Sequence, residues 1–361
     1  MRILYLLNHK ALTDFEVPIL IKKGHEAYMS KNFNHLRPSE NSINHATSRF
    51  YDNFLSIHPT TLKILDKIDF YSSSYTLSNN ELDIINSHFN CIFLTTLTPR
   101  GLLEKLSKNF HGQIYFRFFG LDGTNSYRDI LLSTYPGLDF SRFKFLFSYQ
   151  EIIDYEFSRP VNKGFFNKHN SIYLPLGLST SFISTYLETY HPSKHQMCFV
   201  NSRIDDGRNS YYGNIYYNFL NKFADIIPFV VLGKNNSSVD HKSHIFNNLD
   251  DKNFYGEFQK SLFMHYHSKE PRHLHYHPLE AAVIGLPVLF YSESLLSSIF
   301  PKSPGICFSE TEMLNKCKLI LSKTHQGNGF MNLVISYQNR NIDKLFIEKN
   351  MSIFDNFINH G

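Results

Sequence analysis

The segment 272–290 carries the densest set of side chains that can do chemistry on an anion. It reads RHLHYHPLEAAVIGLPVLF, so a basic, histidine-rich run is followed by a proline, a glutamate and an apolar stretch. Pro278 suits the first turn of a helix, where its missing N–H needs no partner, and Gly285 suits the position after a helix end. Because a helix N-terminus gathers unpaired N–H groups and partial positive charge, it can bind a phosphate. The segment predicts a loop, a short helix and a buried strand, with a phosphate site at the helix start.

Histidines are concentrated here, since His273, His275 and His277 alternate and His265 and His267 precede them. Alternation puts three imidazoles on one side of an extended segment, a spacing that also suits zinc. Nearby carboxylates and thiols are not arranged as ligands, and the cysteines of the chain show no paired metal spacing. We therefore expect no metal here, and we interpret His277 as a hydrogen-bond donor to a phosphate.

Charged residues also follow several predicted strands. Arg203 and Lys234 each follow a strand of the second half. Fixed cations at such strand ends can bind an anionic ligand and stabilise its negative charge. In the first half, Asp14 and Asp122 follow strands, and a carboxylate in such a place can take a proton from a hydroxyl. The same charges also suit solvated surface positions or, for Asp122 beside glycines, a turn.

The elements that position these residues alternate between strand and helix, which predicts an α/β fold. The chain starts with an apolar strand at residues 3–7, a polar loop at residues 8–14 and a helix at residues 17–23. Residues 30–80 are polar with weak periodicity, and we expect long loops and short helices with a functional role there. The first loop is not glycine-rich, which disfavours dinucleotide binding.

The segment 272–290 resembles the nucleotide-sugar loop of GT-B glycosyltransferases, in which a Glu-Ala pair opens a helix and Gly-x-Pro-Val follows. The resemblance implies an α/β fold of two Rossmann-like domains with a cleft between them. It implies an N-terminal acceptor domain over residues 1–176 and a C-terminal donor domain over residues 177–339, joined near a Pro-Leu-Gly pattern. A last helix at residues 340–361 is expected to return to the first domain.

The resemblance also assigns roles to residues. Glu280 would bind the ribose hydroxyls of the donor nucleotide. The donor phosphates would be held by Arg203, Lys234 and His277. The donor sugar would be contacted by Arg272, His273 and His275. The catalytic base would be Asp122 or Asp14. Many retaining members carry a second glutamate before the first, where this chain has Arg272, and Glu270 lies two residues out of that register.

The activity that the resemblance implies is transfer of a sugar from a nucleoside-diphosphate sugar to a hydroxyl group. The acceptor would be a glycan or a lipid-linked glycan, in the synthesis of O-antigen, capsule or lipopolysaccharide. We expect no cofactor and no metal, because side-chain cations and the helix dipole can supply the electrostatic stabilisation of the leaving group.

Three alternatives stay open. The pair His277-Pro278 is similar to the pair with which sialic acid and Kdo transferases hold a cytidine monophosphate donor. Those enzymes also carry an acidic motif before a glycine, and Asp205-Asp206-Gly207 is such a motif but lies in the second half. A nucleotide-sugar epimerase or a non-catalytic nucleotide-binding protein of the same fold would need the same nucleotide site.

The composition of the chain limits the classes of partner that it can bind. The formal net charge is +4 at pH 7, far from the dense basic stripe of a nucleic-acid binder. A mild positive charge suits anionic ligands or a loose contact with a membrane surface. No apolar run approaches the length of a membrane span, and the cysteines read as reduced thiols. We expect a cytoplasmic enzyme that associates peripherally with the inner face of the membrane and binds no nucleic acid.

Overall fold

The computed structural model describes residues 1–6, 10–29, 56–121, 123–201, 210–233, 245–247, 249–342 and 352–357. The chain divides into two compact units, at a boundary between Ser179 and Thr180. The first unit also takes in the end of the chain, where residues 352–357 form a short helix, and the second unit runs to Glu348. Both units are α/β with parallel sheets, which confirms the predicted fold class.

The first unit is built on a parallel sheet with the strand order β2-β1-β3-β4-β5-β6. Its strands are β1 (Arg2–Tyr5), β2 (Glu26–Met29), β3 (Cys91–Leu94), β4 (Gln113–Phe118), β5 (Phe143–Phe147) and β6 (Ser171–Tyr173). Its helices are α1 (Lys10–Lys22), α2 (Pro59–Leu65), α3 (Asn79–His88), α4 (Arg100–Asn109), α5 (Tyr127–Thr134) and α6 (Gln150–Ser158). β3 is buried along its whole length, as expected for a parallel strand covered on both faces.

The second unit has a parallel sheet with the strand order β12-β11-β10-β7-β8-β9. Its strands are β7 (Met197–Val200), β8 (Phe229–Gly233), β9 (Ile245–Asn247), β10 (Phe263–Tyr266), β11 (Val288–Tyr291) and β12 (Ile306–Cys307). Its helices are α7 (Thr180–Tyr186), α8 (Tyr211–Phe223), α9 (Asp251–Lys260), α10 (His277–Ile284), α11 (Leu296–Ile299), α12 (Glu310–Leu321) and α13 (His325–Ile342).

The order of this second sheet reverses between β7 and β10. From β7 the chain adds β8 and β9 on one side, and from β10 it adds β11 and β12 on the other. In open α/β sheets, ligands bind at the carboxyl ends of the strands beside such a reversal. The sheet topology therefore predicts a ligand site among the residues that follow β7 and β10.

Helix α1 shows where the sequence prediction was wrong. The residues from Lys10 were expected to form a polar loop, but they form the first turns of α1, so Asp14 lies inside a helix. The buried positions Leu12, Phe15, Glu16 and Ile19 have helical spacing. One of them is a buried carboxylate, and this interrupted the apolar pattern from which a helix is recognised.

The short helix at residues 352–357 packs on α1 within the first unit. Its Phe354 is buried, and the rings of Phe354 and Phe15 meet edge to face with centroids 5.9 Å apart. Lys23 and Asp355 form an ion pair of 3.0 Å beside this contact. None of the helices over the described ranges is long and apolar enough to span a bilayer.

Candidate functional site

The histidine-rich loop leaves the sheet at the reversal point of the second unit. Strand β10 ends at Tyr266, the loop occupies residues 267–276, and α10 begins at His277. The loop is tied to its surroundings, because the carbonyl of Glu270 accepts a hydrogen bond of 2.9 Å from the N–H of Leu295. The segment predicted to bind a phosphate thus lies at the edge of the sheet where α/β folds place ligands.

Helix α10 has the start and the end that the sequence predicted. Pro278 occupies its first turn, and Gly285 ends it with a φ of 94°, in the left-handed region that glycine tolerates. The N–H of Leu286 donates to the carbonyl of Ala281 over 2.9 Å, which satisfies one of the last helical carbonyls. A side chain at Gly285 would also meet Tyr190, since a Cβ there would lie 3.2 Å from the Cβ of Tyr190.

Four imidazoles come together in this loop. The ring centroids of His267 and His275 are 5.6 Å apart, those of His275 and His277 are 5.3 Å apart, and those of His267 and His277 are 6.4 Å apart. His273 stacks on His275 with centroids separated by 4.7 Å. The predicted sugar-contacting and phosphate-binding histidines therefore form one cluster, which we call the imidazole cluster: His267, His273, His275 and His277.

Tyr266 is hydrogen-bonded to His275 of the imidazole cluster. Its hydroxyl accepts a hydrogen bond of 3.3 Å from the N–H of His275 and lies 3.2 Å from Nδ1 of the same residue, to which it can donate. Tyr266 itself is fully buried. From the first turn of α8, the ring of Tyr212 faces His275 at a centroid distance of 6.4 Å. The carbonyl of Tyr212 accepts a hydrogen bond of 2.9 Å from Nδ2 of Asn201, directly after β7.

Two members of the cluster, His267 and His277, are uncharged at neutral pH in the free protein. Burial lowers the pKa of His267 to about 3, with smaller contributions from His265 and His273. Burial also lowers the pKa of His277 well below its ordinary value, helped by His275 and His267. Within the described ranges, Nδ1 of His267 and Nε2 of His277 have no hydrogen-bond partner. Neutral imidazoles with uncommitted ring nitrogens are suited to bind the oxygens of an anionic ligand.

Glu280 is half-buried in the first turn of α10. Its Oε1 accepts a hydrogen bond of 3.0 Å from the hydroxyl of Tyr255 on α9. Arg272 and His273 are also half-buried, on the loop before the helix. The sequence pattern gave no sign of Tyr255 or Tyr266, because each meets the loop through a contact that local periodicity does not encode.

No group of three or more histidine, cysteine or carboxylate side chains within the described ranges is arranged to hold a metal ion. Three of the predicted site residues, Arg203, Lys234 and Asp122, lie outside the described residues. Among the rest, the structure brings His273, His275 and His277 together, with Arg272 and Glu280 on the same loop and helix.

In the first unit, the loop between β4 and α5 is anchored at its helical end. The carboxylate of Glu156 is buried, and it accepts hydrogen bonds from Oγ of Ser126 over 2.7 Å and from the N–H of Tyr127 over 2.6 Å. Burial raises the pKa of Glu156 despite these bonds. The hydroxyl of Tyr127 in turn donates to the carbonyl of Gly120, where the loop begins. The two described ends of this loop are therefore bonded to each other, and its helical end is also bonded to α6.

His265 makes the second unit acid-sensitive. It is 3% exposed on β10, packs against Phe199, Phe223 and Tyr291, and has no hydrogen-bond partner for either ring nitrogen among the described residues. Burial lowers its pKa to about 3, so the unfolded chain takes up a proton near pH 6.5 that the folded chain refuses. Stability contributed by the neutral imidazole is complete above pH 6.5 and is lost as the pH falls towards 3.

We expect the free energy of unfolding to fall by about 2 kcal/mol between pH 7 and pH 5 from His265 alone. Urea denaturation at a series of pH values measures this slope. In the variant His265→Leu, an apolar side chain of similar size replaces the imidazole. We expect its free energy of unfolding to fall by about 2 kcal/mol less over the same pH range. An identical slope in the variant would show that His265 is not the residue responsible.

Comparison with known proteins bears on the fold. No model of a known protein family matches this sequence, and no curated protein matches it. Among solved structures, the chain is similar to an α-glucosyltransferase in complex with UDP, at a TM-score of 0.58 and 12% identity over 99% of both chains. It is similar to Anabaena HepE in complex with UDP-glucose, at a TM-score of 0.57 and 11% identity over 99% of this chain and 98% of that one.

A third similar structure is T4 phage BGT in complex with UDP and Mn²⁺, with a TM-score of 0.55 and 9% identity over 99% of both chains. Sequence identities this low establish the fold and nothing finer. The chain has the GT-B fold, with two Rossmann-like domains, as the resemblance of its 272–290 segment predicted.

Proposed function

We propose that this chain is a glycosyltransferase that moves a sugar from a nucleoside-diphosphate sugar to a hydroxyl group. The observation that carries the proposal is the imidazole cluster where the second sheet reverses, with Glu280 in the first turn of the helix that begins at His277. Neutral donors next to a carboxylate at a helix start suit a ligand with phosphates and a ribose. UDP and UDP-glucose are bound by proteins of the same fold, which favours a uridine nucleotide.

In this proposal, the second unit binds the donor. Glu280 accepts hydrogen bonds from the ribose hydroxyls, and the phosphates are held by Arg203, Lys234 and His277. The donor sugar is contacted by Arg272, His273 and His275. Transfer breaks the bond between the sugar and the diphosphate, so the negative charge on the leaving diphosphate grows, and donors fixed in place stabilise that charge more than the ground state.

The first unit takes the acceptor in this proposal. If transfer inverts the sugar, a base must remove the proton of the attacking hydroxyl, and Asp122 and Asp14 are our candidates for that base. Asp14 is half-buried on α1, which directly follows the loop after β1. We propose a glycan or a lipid-linked glycan as the acceptor, in the synthesis of a surface polysaccharide, on the cytoplasmic side of a membrane that the enzyme contacts peripherally.

We also propose that transfer needs no metal, with the helix start of α10 and the basic side chains in its place. A similar protein was crystallised with UDP and Mn²⁺, so a direct comparison is required. Turnover in excess EDTA equal to turnover in Mn²⁺ supports the proposal. Activity that disappears in EDTA and returns with Mn²⁺ contradicts it.

Nucleotide binding tests the donor assignment. We would measure the melting temperature of the purified protein with UDP, GDP, dTDP, ADP, CDP and CMP, because a ligand that binds the native state raises it. The proposal expects a clear rise with one nucleoside diphosphate, and with UDP first. A rise with CMP alone would favour a sialic acid or Kdo transferase that uses His277 and Pro278.

A transfer assay then tests the reaction with the donor that binds. Release of nucleotide that depends on a glycan acceptor supports glycosyl transfer. Conversion of the nucleotide sugar without any acceptor would favour an epimerase, and binding without turnover would favour a non-catalytic protein. A DNA duplex serves as a further acceptor arm, because one protein of this fold was crystallised with UDP and DNA.

A further inference from the structure

Tyr255 is aimed at the carboxylate that the proposed function assigns to the ribose. Its hydroxyl donates to Oε1 of Glu280 over 3.0 Å, from α9 to the first turn of α10. Burial raises the pKa of Tyr255, with a smaller contribution from Glu280, so the hydroxyl keeps its proton and remains a donor at every physiological pH. The contact therefore turns one oxygen of the Glu280 carboxylate in a fixed direction.

The ring of Tyr255 is held by other aromatic rings. Phe182 and Tyr186 on α7 meet it with centroids 5.0 Å and 4.8 Å away, and Phe258 on its own helix meets it at 5.8 Å. Tilted and edge-to-face contacts of this kind are favourable and define the orientation of each ring. The hydroxyl that reaches Glu280 is consequently carried by a side chain with little freedom to move.

Helix α10 is hydrogen-bonded to the segment that follows α7, the helix that carries Phe182 and Tyr186. Just after α7, the N–H of Glu188 donates to the carbonyl of Val283 over 2.9 Å, and the N–H of Tyr190 donates to the carbonyl of Ile284 over 2.9 Å. These bonds fix the last turn of α10 against the segment that follows α7. Glu280 and the aromatic rings around Tyr255 therefore belong to one rigid arrangement, within which the distance between the two side chains is set.

A carboxylate recognises a ribose diol best when its plane is already oriented, because two hydroxyls must donate to it together. Such a site rejects analogues that lack a hydroxyl, since the oriented acceptor then loses its partner. We propose that Tyr255 is a positioning residue that sets the preference of this protein for ribonucleotides over 2′-deoxyribonucleotides. The inference rests on the proposed function, because it takes Glu280 as the ribose ligand.

The test compares UDP with 2′-deoxy-UDP by calorimetry, and GDP with 2′-deoxy-GDP in parallel. In the unmodified protein, the ribonucleotide should bind about 10- to 100-fold more tightly than its deoxy counterpart. Tyr255→Phe keeps the ring and removes only the hydroxyl. We expect it to reduce that preference by about 10-fold, chiefly by weakening the ribonucleotide.

Tyr190→Phe is the matched control. It removes a hydroxyl of the same unit that donates to the carbonyl of Leu262 over 2.8 Å rather than to Glu280, and it leaves the backbone bond from Tyr190 to Ile284 in place. The control Tyr190→Phe should keep the ribose preference. If the role of Tyr255 were merely structural, Tyr255→Phe would lower the affinities for ribonucleotide and deoxyribonucleotide equally and leave the preference unchanged. An unchanged ribose preference in Tyr255→Phe, or the absence of any preference in the unmodified protein, overturns the inference. Neither result contradicts nucleotide binding by the protein. A protein that binds none of the four nucleotides overturns the proposed function as well.

Discussion

Replacing Arg117 by methionine is expected to lower the free energy of unfolding of the first unit by about 3–5 kcal/mol. Arg117 lies at the end of β4 with none of its side chain exposed, and its Nη2 is 2.9 Å from Oε1 of Glu16, which is equally buried. Methionine fills a similar volume but leaves the Glu16 carboxylate inside the protein without its counter-ion. An uncompensated buried charge is among the most destabilising changes that one substitution can make.

The pair also links α1 to the end of the first unit. The Arg117 guanidinium donates to the carbonyls of Leu174 and Pro175, just before the chain passes to the second unit at Ser179. Tyr5 completes the network by donating to Oε2 of Glu16 over 2.7 Å. Gly177 lies so close to α1 that a Cβ there would fall 2.2 Å from the ring of Phe15. The loss of Arg117 should therefore loosen the segment that leads out of the first unit.

Urea denaturation of Arg117→Met measures the expected loss. The double variant Glu16→Gln with Arg117→Met removes both charges, and we expect it to cost clearly less than the sum of the two single changes. Arg142→Met is a matched control, because its guanidinium also donates to two backbone carbonyls, of Ser107 and Phe110, but forms no ion pair with a buried carboxylate among the described residues. A loss at Arg117 no larger than at Arg142 would refute the account of the buried pair.

Replacing Glu280 by alanine is expected to weaken UDP binding by about 10- to 100-fold, corresponding to about 1.4–2.7 kcal/mol. The reason is that the ribose hydroxyls lose a charged acceptor, and such hydrogen bonds contribute more than neutral ones. Because Glu280 is half-buried in the first turn of α10 and does not lie in the core, the fold should remain intact. Calorimetric titration with UDP measures the change in affinity, and the melting temperature without ligand reports on the fold.

Glu270→Ala is the control for Glu280. It removes a carboxylate from the loop before α10, one that lies two residues out of the register of the second glutamate of retaining enzymes. We expect its UDP affinity to stay within about 3-fold of the unmodified protein. The donor-site assignment is wrong if the two variants bind UDP equally well, and it would pass to Glu270 if that variant alone lost affinity.

Local patterns in the sequence were sufficient where a single segment determines the structure. Pro278 and Gly285 marked the two ends of α10, and the alternation of strands and helices led to the fold class. The basic character of the loop before α10 identified the region of the imidazole cluster. These signals are local, because helix ends and strand periodicity depend on neighbouring residues.

Contacts between residues that are far apart in the sequence could not be predicted from such patterns. Tyr255 reaches Glu280 from another helix, and Arg117 pairs with Glu16 across two elements. The start of α1 was missed for the same reason, because Glu16 occupies a buried helical position only when Arg117 is beside it. A charge that is stabilised by a distant partner has no signature of its own in the sequence.

The central claim is that the loop after β10 and the start of α10 bind a nucleotide. Hydrogen–deuterium exchange of the unmodified protein with and without saturating UDP tests it most directly, since it reports where on the chain the ligand acts. The account predicts that UDP slows exchange in peptides that cover residues 266–285, and that Glu280→Ala reduces this effect. UDP that binds and protects other segments while leaving residues 266–285 unchanged would contradict it.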